Sequence, residues 1–349
     1  MGMATKKIAV LGTGANGASI AADIAEAGRD VVLIDQWSAH VEAMRRQGLR
    51  IEMPDKTLQL SVRAFHLCDV CTFKEQFDVV LLVVKTYDTR WSCELIKPYL
   101  KSSGLIAGLQ NGMTTDAIAS VVGPERTIGC VVEIASMMFD PGVINRHTAR
   151  ANSWFALGAV DKAADGRESE IAALLQHSGN VDIVTDIRAT KWMKLVSNAT
   201  ALVPTALLGV PIKEAVELPG MRDLMVRAGQ EALDVGEDFG FAALPILGLT
   251  AQEMRESNRV VETLLDKLLS GFISPTTKTT VLQDWIKGRR SEVDDINGLV
   301  ASQTVRPAPV NRAVIALAHL VERRELKPAP SNRILLQKKA EEFASAGRT

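Results

Sequence analysis

Short apolar runs alternate with longer stretches of helical period through the first half of the chain. Lys7–Leu11 is a strand of the buried kind, Gly12-Thr-Gly-Ala-Asn-Gly17 a glycine turn, and Ala18–Ala27 a helix with a long apolar face. Gly28 ends that helix, and Val31–Ile34 is a β-branched strand, so these pieces make one strand–helix–strand unit. Val79–Val84 and Leu105–Leu109 read as further parallel strands, with a helix over Cys93–Leu100 between them. Ile128–Ala135 is another apolar run, and Pro141-Gly142 turns the chain toward the strand-like Trp154–Gly158. Asp161–Glu170 is polar and contains glycine, as a turn or a helix start would. The pattern predicts an α/β sheet with a more antiparallel final portion.

After about residue 185 the period changes. Ala189–Leu207, Met221–Gly236, Ser257–Leu269, Asp294–Thr304 and Asn311–Leu320 read as helices, with Pro204 expected to end or bend the first. Gly240–Gly248 and Gly271–Pro275 are connectors, and strand signals are nearly absent.

Composition narrows the classes. A chain of 349 residues suggests two domains, and 47% hydrophobic content supplies a large core. Forty basic against 41 acidic residues give a net charge of -1, which argues against a nucleic-acid platform. No apolar run reaches the roughly 18–20 residues that a bilayer requires. Met1–Lys7 leads straight into a strand without a secretory apolar region, so a soluble cytoplasmic protein is expected. Four cysteines do not make a disulfide framework in so long a chain. Cys68 and Cys71 have C-x-x-C spacing, but no second pair or nearby histidine completes a metal site. All four, with Cys93 and Cys130, are expected as buried or half-buried free thiols, and no metal is expected. The histidines are scattered: His40 lies in an early helix, and His147 has the best case for exposure.

The glycine turn carries the first chemistry. Gly12, Gly14 and Gly17 follow a strand and open a helix, the context in which G-x-G-x-x-G binds a dinucleotide. Gly12 permits the tight turn, Gly14 lets backbone approach a pyrophosphate, and Gly17 lets helix and strand pack closely. Thr13, Ala15 and Asn16 complete the expected cofactor loop, whose helix N-terminus favours phosphate. Asp35 stands 18 residues after Gly17, close to where an acid accepts from the adenosine ribose. Its charge would repel a 2'-phosphate, so NAD is favoured, while Arg45, Arg46 and Arg50 keep NADP open. Lys85 and Asn111 follow the two later strands and are placed to meet the cofactor or the substrate. The turn at Gly112 also gives Asn111 a purely conformational role. Lys194 and Asn198 lie four apart on one helix and share a face. Lys191 and Lys194 are either that helix's solvated side or a used polar spot.

The chain resembles the ketopantoate reductase family along nearly its full length. The likeness lies in Leu11-Gly-Thr-Gly-Ala-Asn-Gly17, Lys85, Gln110-Asn-Gly112 and Lys191-Trp-Met-Lys-Leu-Val-Ser-Asn198. It continues in Thr279-Thr-Val-Leu-Gln-Asp284, Ser291-Glu-Val-Asp-Asp-Ile-Asn-Gly298 and Ala308-Pro-Val-Asn311. The resemblance implies an N-terminal Rossmann-type dinucleotide-binding domain, placed at 1–185, and a mostly helical substrate-binding and dimerisation domain, placed at 186–349. It implies nicotinamide-dependent reduction of a 2-oxo acid, with 2-dehydropantoate the default substrate. Lys194 then matches the general acid and Glu292 the acidic residue beside it. Asn198, Thr280 and Asn111 match substrate-side residues, and Lys85 and Asn111 the cofactor junction. A homodimer is expected, with Leu264, Leu265, Leu268 and Leu269 as its apolar face or, equally, as internal core. Three departures qualify the substrate: Asp35 where NADP-using members carry a basic residue, Leu202 in place of a second asparagine, and extra length around Leu218–Thr250. A dehydrogenase of another 2-hydroxy acid, an opine-like imine-reducing enzyme and a non-catalytic dinucleotide sensor are the alternatives.

Overall fold

The structure, a computed structural model, describes residues 6–256, 259–303 and 306–346. The chain forms two compact units, which part after Arg188.

The first unit holds twelve strands among its described residues: β1 (Lys7–Leu11), β2 (Asp30–Asp35), β3 (Leu49–Glu52), β4 (Thr57–Leu60), β5 (Arg63–His66), β6 (Phe77–Leu82), β7 (Leu100–Gly108), β8 (Thr127–Glu133), β9 (Ser136–Met137), β10 (Val143–Arg146), β11 (Trp154–Ala159) and β12 (Asn180–Ile183). Its helices are α1 (Ala15–Glu26), α2 (Ser38–Gln47), α3 (Thr89–Ile96), α4 (Thr115–Val122) and α5 (Glu168–Leu175). The main sheet runs β12-β11-β8-β7-β6-β1-β2-β5. Pairing is parallel from β5 to β8, and β11 turns back against β8. The antiparallel final portion is therefore present, and the parallel part has the strand order of dinucleotide-binding sheets.

Successive apolar residues of the central strands feed two cores, one on each face. Ile8 and Val10 join Val79, Leu81 and the α1 residues Ile20 and Ile24 on one face. Ala9 and Leu11 join Val80, Leu82, Cys93, Ile96 and Ile118 on the other. Burying each branched side chain contributes about 1.5–3 kcal/mol. The helix expected over Cys93–Leu100 begins four residues earlier, and at Pro98 the chain has tightened into a 3₁₀ turn over Lys97–Tyr99.

A second, four-stranded sheet, β4-β3-β10-β9, was not anticipated. Its β3–β4 hairpin turns at Met53–Lys56, where Met53 N–H donates to the Lys56 carbonyl at 2.8 Å. Cys68 and Cys71 correct an expectation, because both are exposed on a short 3₁₀ turn at the edge strand β5. Cys93 and Cys130 are buried, as expected.

The second unit is helical among its described residues: α6 (Ile187–Ala206, whose first two residues belong to the first unit), α7 (Ile212–Glu217), α8 (Met221–Asp238), α9 (Ala251–Glu256), α10 (Val260–Gly271), α11 (Thr280–Ile286), α12 (Asn297–Ala301), α13 (Pro309–Glu322) and α14 (Asn332–Ala346). Pro204 does not stop α6 early, since it stands in the last turn and costs only one backbone bond. The helix expected over Asp294–Thr304 shortens to α12, with Ser291–Ile296 forming a turn; Thr304 and Ser257 lie outside the described residues. Three asparagine amides staple this unit. Asn297 donates to Ala199 O, Asn311 to Ala228 O and Asn332 to Leu207 O. Leu264, Leu265 and Leu268 are buried within the chain, and Leu269 is half-buried, so the proposed apolar dimer face is core. No described helix is long and apolar enough to cross a membrane.

Candidate functional site

The glycines divide by what surrounds them. Gly12 has φ +91°, and a Cβ on it would stand 2.7 Å from Val84 N. A Cβ on Gly17 would stand 2.0 Å from the Gly12 carbonyl oxygen. Gly14, the N-cap of α1, has nothing within 4 Å of the same position. Two glycines are therefore required by packing, while the third leaves space at a helix N-terminus whose first turn has no acid to repel an anion. Ala15 and Asn16 open α1, and the Asn16 side chain is hydrogen-bonded to Ser136 of β9.

Asp35 ends β2 beside this loop and is only 8% exposed. Its Oδ2 accepts from Thr13 N–H at 2.7 Å and from the Thr13 hydroxyl at 3.2 Å, and its Oδ1 accepts from Trp37 N–H at 2.8 Å. A carboxylate offers about four acceptor directions, so one remains for a ribose hydroxyl. The donor set and the open cradle at Gly14 fit a dinucleotide. The three arginines that kept NADP open each face an acid: Arg45 pairs with Asp69 at 2.6 Å, Arg46 with Glu42 at 3.5 Å and Arg50 with Glu52 at 2.9 Å.

The loops after β1, β6 and β7 lie side by side. Val83 N–H donates to Leu11 O at 2.8 Å, and Leu109 N–H to Leu82 O at 2.9 Å. Lys85 and Asn111 therefore stand at adjacent carboxyl ends of the sheet, and the Thr86 hydroxyl donates to Asn111 O at 3.1 Å. Gly112 has φ +68°, so Asn111 does precede a left-handed turn.

In the second unit α6 carries Lys191, Lys194 and Asn198. Lys191 and Asn198 are each 3% exposed, so the solvated reading fails for Lys191, whereas Lys194 is half-buried and keeps part of its surface exposed. Thr279 caps α11, accepting from Leu282 N–H at 3.1 Å. Thr280 begins that helix, and its buried hydroxyl has no hydrogen-bond partner in the structure. Glu292 is buried in the Ser291–Ile296 turn, which α13 holds at both flanks. The Ser291 hydroxyl donates to Glu322 at 2.6 Å, and His319 Nε2 lies 2.7 Å from Asp294 Oδ1. Burial, and then the charge of Glu292, pushes the Asp295 carboxyl up to about 6. These neighbours had no sequence signal, because their roles arise from pairing across the fold. Asn297 of the same motif has a packing role, reaching Ala199 next to Asn198.

Known proteins identify the family. The profile of the family described as "Ketopantoate reductase PanE/ApbA" matches residues 8–162, and that of its C-terminal domain matches residues 186–322. A 2-dehydropantoate 2-reductase of Mesorhizobium japonicum is 28% identical, over 89% of this chain and 96% of its own. One from Archaeoglobus fulgidus is 25% identical, over 92% and 99%. A PanE/ApbA family ketopantoate reductase from Ralstonia eutropha superposes with a TM-score of 0.75 at 27% identity, covering 91% of this chain and 99% of its own. D-mandelate dehydrogenase, solved with NADH and anilino(oxo)acetate, has a TM-score of 0.78 at 21% identity over 91% and 99%, a likeness of fold. The chain is an NAD(P)-dependent oxidoreductase of the ketopantoate reductase PanE/ApbA family.

Proposed function

We propose that the protein reduces a 2-oxo acid to the 2-hydroxy acid, with 2-dehydropantoate as the default substrate and NADH as the preferred cofactor. The observation that carries the cofactor half is the Gly12–Gly17 loop, with its open position at Gly14 and Asp35 beside it. Gly12, Thr13, Gly14, Ala15, Asn16 and Gly17 cradle the pyrophosphate, Asp35 takes the ribose, and Lys85 and Asn111 meet the nicotinamide end. When bound, the reduced nicotinamide supplies the hydride for C2. Lys194 gives the carbonyl oxygen its proton, and a cation aimed at the developing negative charge lowers the barrier. Asn198, Asn111 and Thr280 orient the substrate, and the orphaned Thr280 hydroxyl supports that role. Glu292 takes the substrate's hydroxyl and sustains the lysine. A cytoplasmic homodimer is part of this reading.

Leu202 favours a second reading. It replaces an amide that would bind a polar substrate group, so a 2-oxo acid with a larger apolar side chain, reduced as a D-mandelate-type dehydrogenase would reduce it, is the alternative. A panel of 2-oxo acids assayed with NADH and with NADPH by nicotinamide absorbance separates the two. Highest kcat/KM on 2-dehydropantoate with NADH supports the first, and preference for arylglyoxylates supports the second. Lys194→Ala is expected to lower turnover by about 10²–10⁴ on the best substrate while NADH still binds. Near-native turnover in that variant defeats the assignment.

A further inference from the structure

The glycine loop is gripped from two sides. Asp35 takes the N–H and hydroxyl of Thr13, and His40 takes its carbonyl. His40 is fully buried on α2, with Nε2 at 2.9 Å from Thr13 O. Its Nδ1 accepts from Gly142 N–H, also at 2.9 Å. The second bond decides the first. A nitrogen that accepts from an amide carries no proton, so the neutral ring bears its hydrogen on Nε2 and donates it to Thr13. Trp37 stacks on the ring at 5.9 Å between centroids. Gly142 lies in the turn that leads into β10, so His40 ties the loop to the small sheet, which touches the loop again from Ser136 to Asn16.

The consequence follows from peptide geometry. Across a trans peptide the carbonyl and the following N–H point in opposite directions. Holding Thr13 O against His40 therefore turns the Gly14 N–H away from His40, at the glycine whose Cβ position is open. We propose that His40 is a positioning residue for the dinucleotide, setting the Gly14 amide toward the phosphate and coupling that amide to the small sheet. The inference rests on reading this loop as the nicotinamide cofactor site.

Two substitutions separate the bonds of the ring. The amide of His40→Gln reaches the place of Nε2 and donates to Thr13, whereas the shorter His40→Asn reaches only the place of Nδ1 and accepts from Gly142. Fluorescence titration with NADH and with NADPH, beside thermal melts, reads the result. Relative to the unmodified protein, His40→Gln should keep the cofactor Kd within about threefold and His40→Asn should raise it at least tenfold, at similar melting midpoints. Native affinity in His40→Asn, or equal losses in both variants, overturns the proposal. If neither variant folds, imidazole ¹⁵N spectra of the unmodified protein with and without NADH decide: a ring protonated on Nδ1, or an Nε2–H signal that NADH leaves unmoved, overturns the proposal, and an Nε2–H signal that NADH shifts upholds it. Binding of neither cofactor by the unmodified protein would instead defeat the cofactor reading, and this inference with it.

Discussion

A Cβ at position 14 meets open space, whereas one at position 17 meets the Gly12 carbonyl. Gly14→Val is therefore expected to melt close to the unmodified protein yet bind NADH at least tenfold more weakly. Gly17→Val should lose stability by about 1–3 kcal/mol or more through overpacking. Thermal melts beside NADH titrations check both, and equal melting of the two variants would count against the distinction. Asp295 offers a test of pH. Its carboxyl, ordinarily at 3.8, is pushed up to about 6 by burial and by Glu292. Between these values the folded protein holds a proton that the unfolded chain has lost. Stability from this group is thus full below about pH 4, falls as pH rises and stays lost above about 6. Asp295→Asn should melt higher than the unmodified protein at pH 8, with the gap closing by pH 4. A gap independent of pH would remove Asp295 as its source.

Between elements, one link in the first unit is a fully buried ion pair. Arg146 of β10 donates to Asp23 of α1 at 2.5 Å, and both side chains are fully buried. Arg146 also reaches Thr148 O, Ser153 Oγ and Ser178 O, while Arg150 adds a second cation on Asp23. Asp23→Ala strands a buried guanidinium and should cost about 3–5 kcal/mol in urea unfolding. Asp23→Ala with Arg146→Met should recover much of that loss, and a double variant worse than the single one would contradict the account. This link also shows which elements were legible in the sequence. The β1–α1–β2 unit was, because apolar runs and glycines announce it locally. The small sheet was not, since β3 pairs with β10 some ninety positions away (Arg50 opposite Val143) and its strands are four residues or fewer. Its hairpin did carry a signal in Pro54-Asp55 between two alternating runs. The site divides the same way. Gly12 and Gly17 were legible because their need for glycine is local, whereas His40 acquires its role only from Gly142, 102 residues later.

At the scale of the whole molecule, the two units are held together internally by different devices. The first relies on a sheet apolar on both faces, and the second on helices tied by buried amides. Asn332, which donates to both Leu207 O and Lys327 O at 2.9 Å, is the last of those ties. Asn332→Ala should destabilise the helical unit by about 1–3 kcal/mol, through loss of its two hydrogen bonds. Denaturant unfolding that shows no loss would argue against the staple. Each tie runs from a late residue back to an early helix, from Asn297 to α6, from Asn311 to α8, and from Asn332 to the residue after α6. On the ribosome that order becomes a delay. The cofactor unit is complete once Arg188 has emerged, but the early helices of the second unit wait for partners not yet translated. At roughly 5–20 residues per second the wait is on the order of ten seconds to half a minute. Through that interval the carbonyls of Ala199, Ala228 and Leu207 have no asparagine to tie them, so the helical unit closes only as its last third is made.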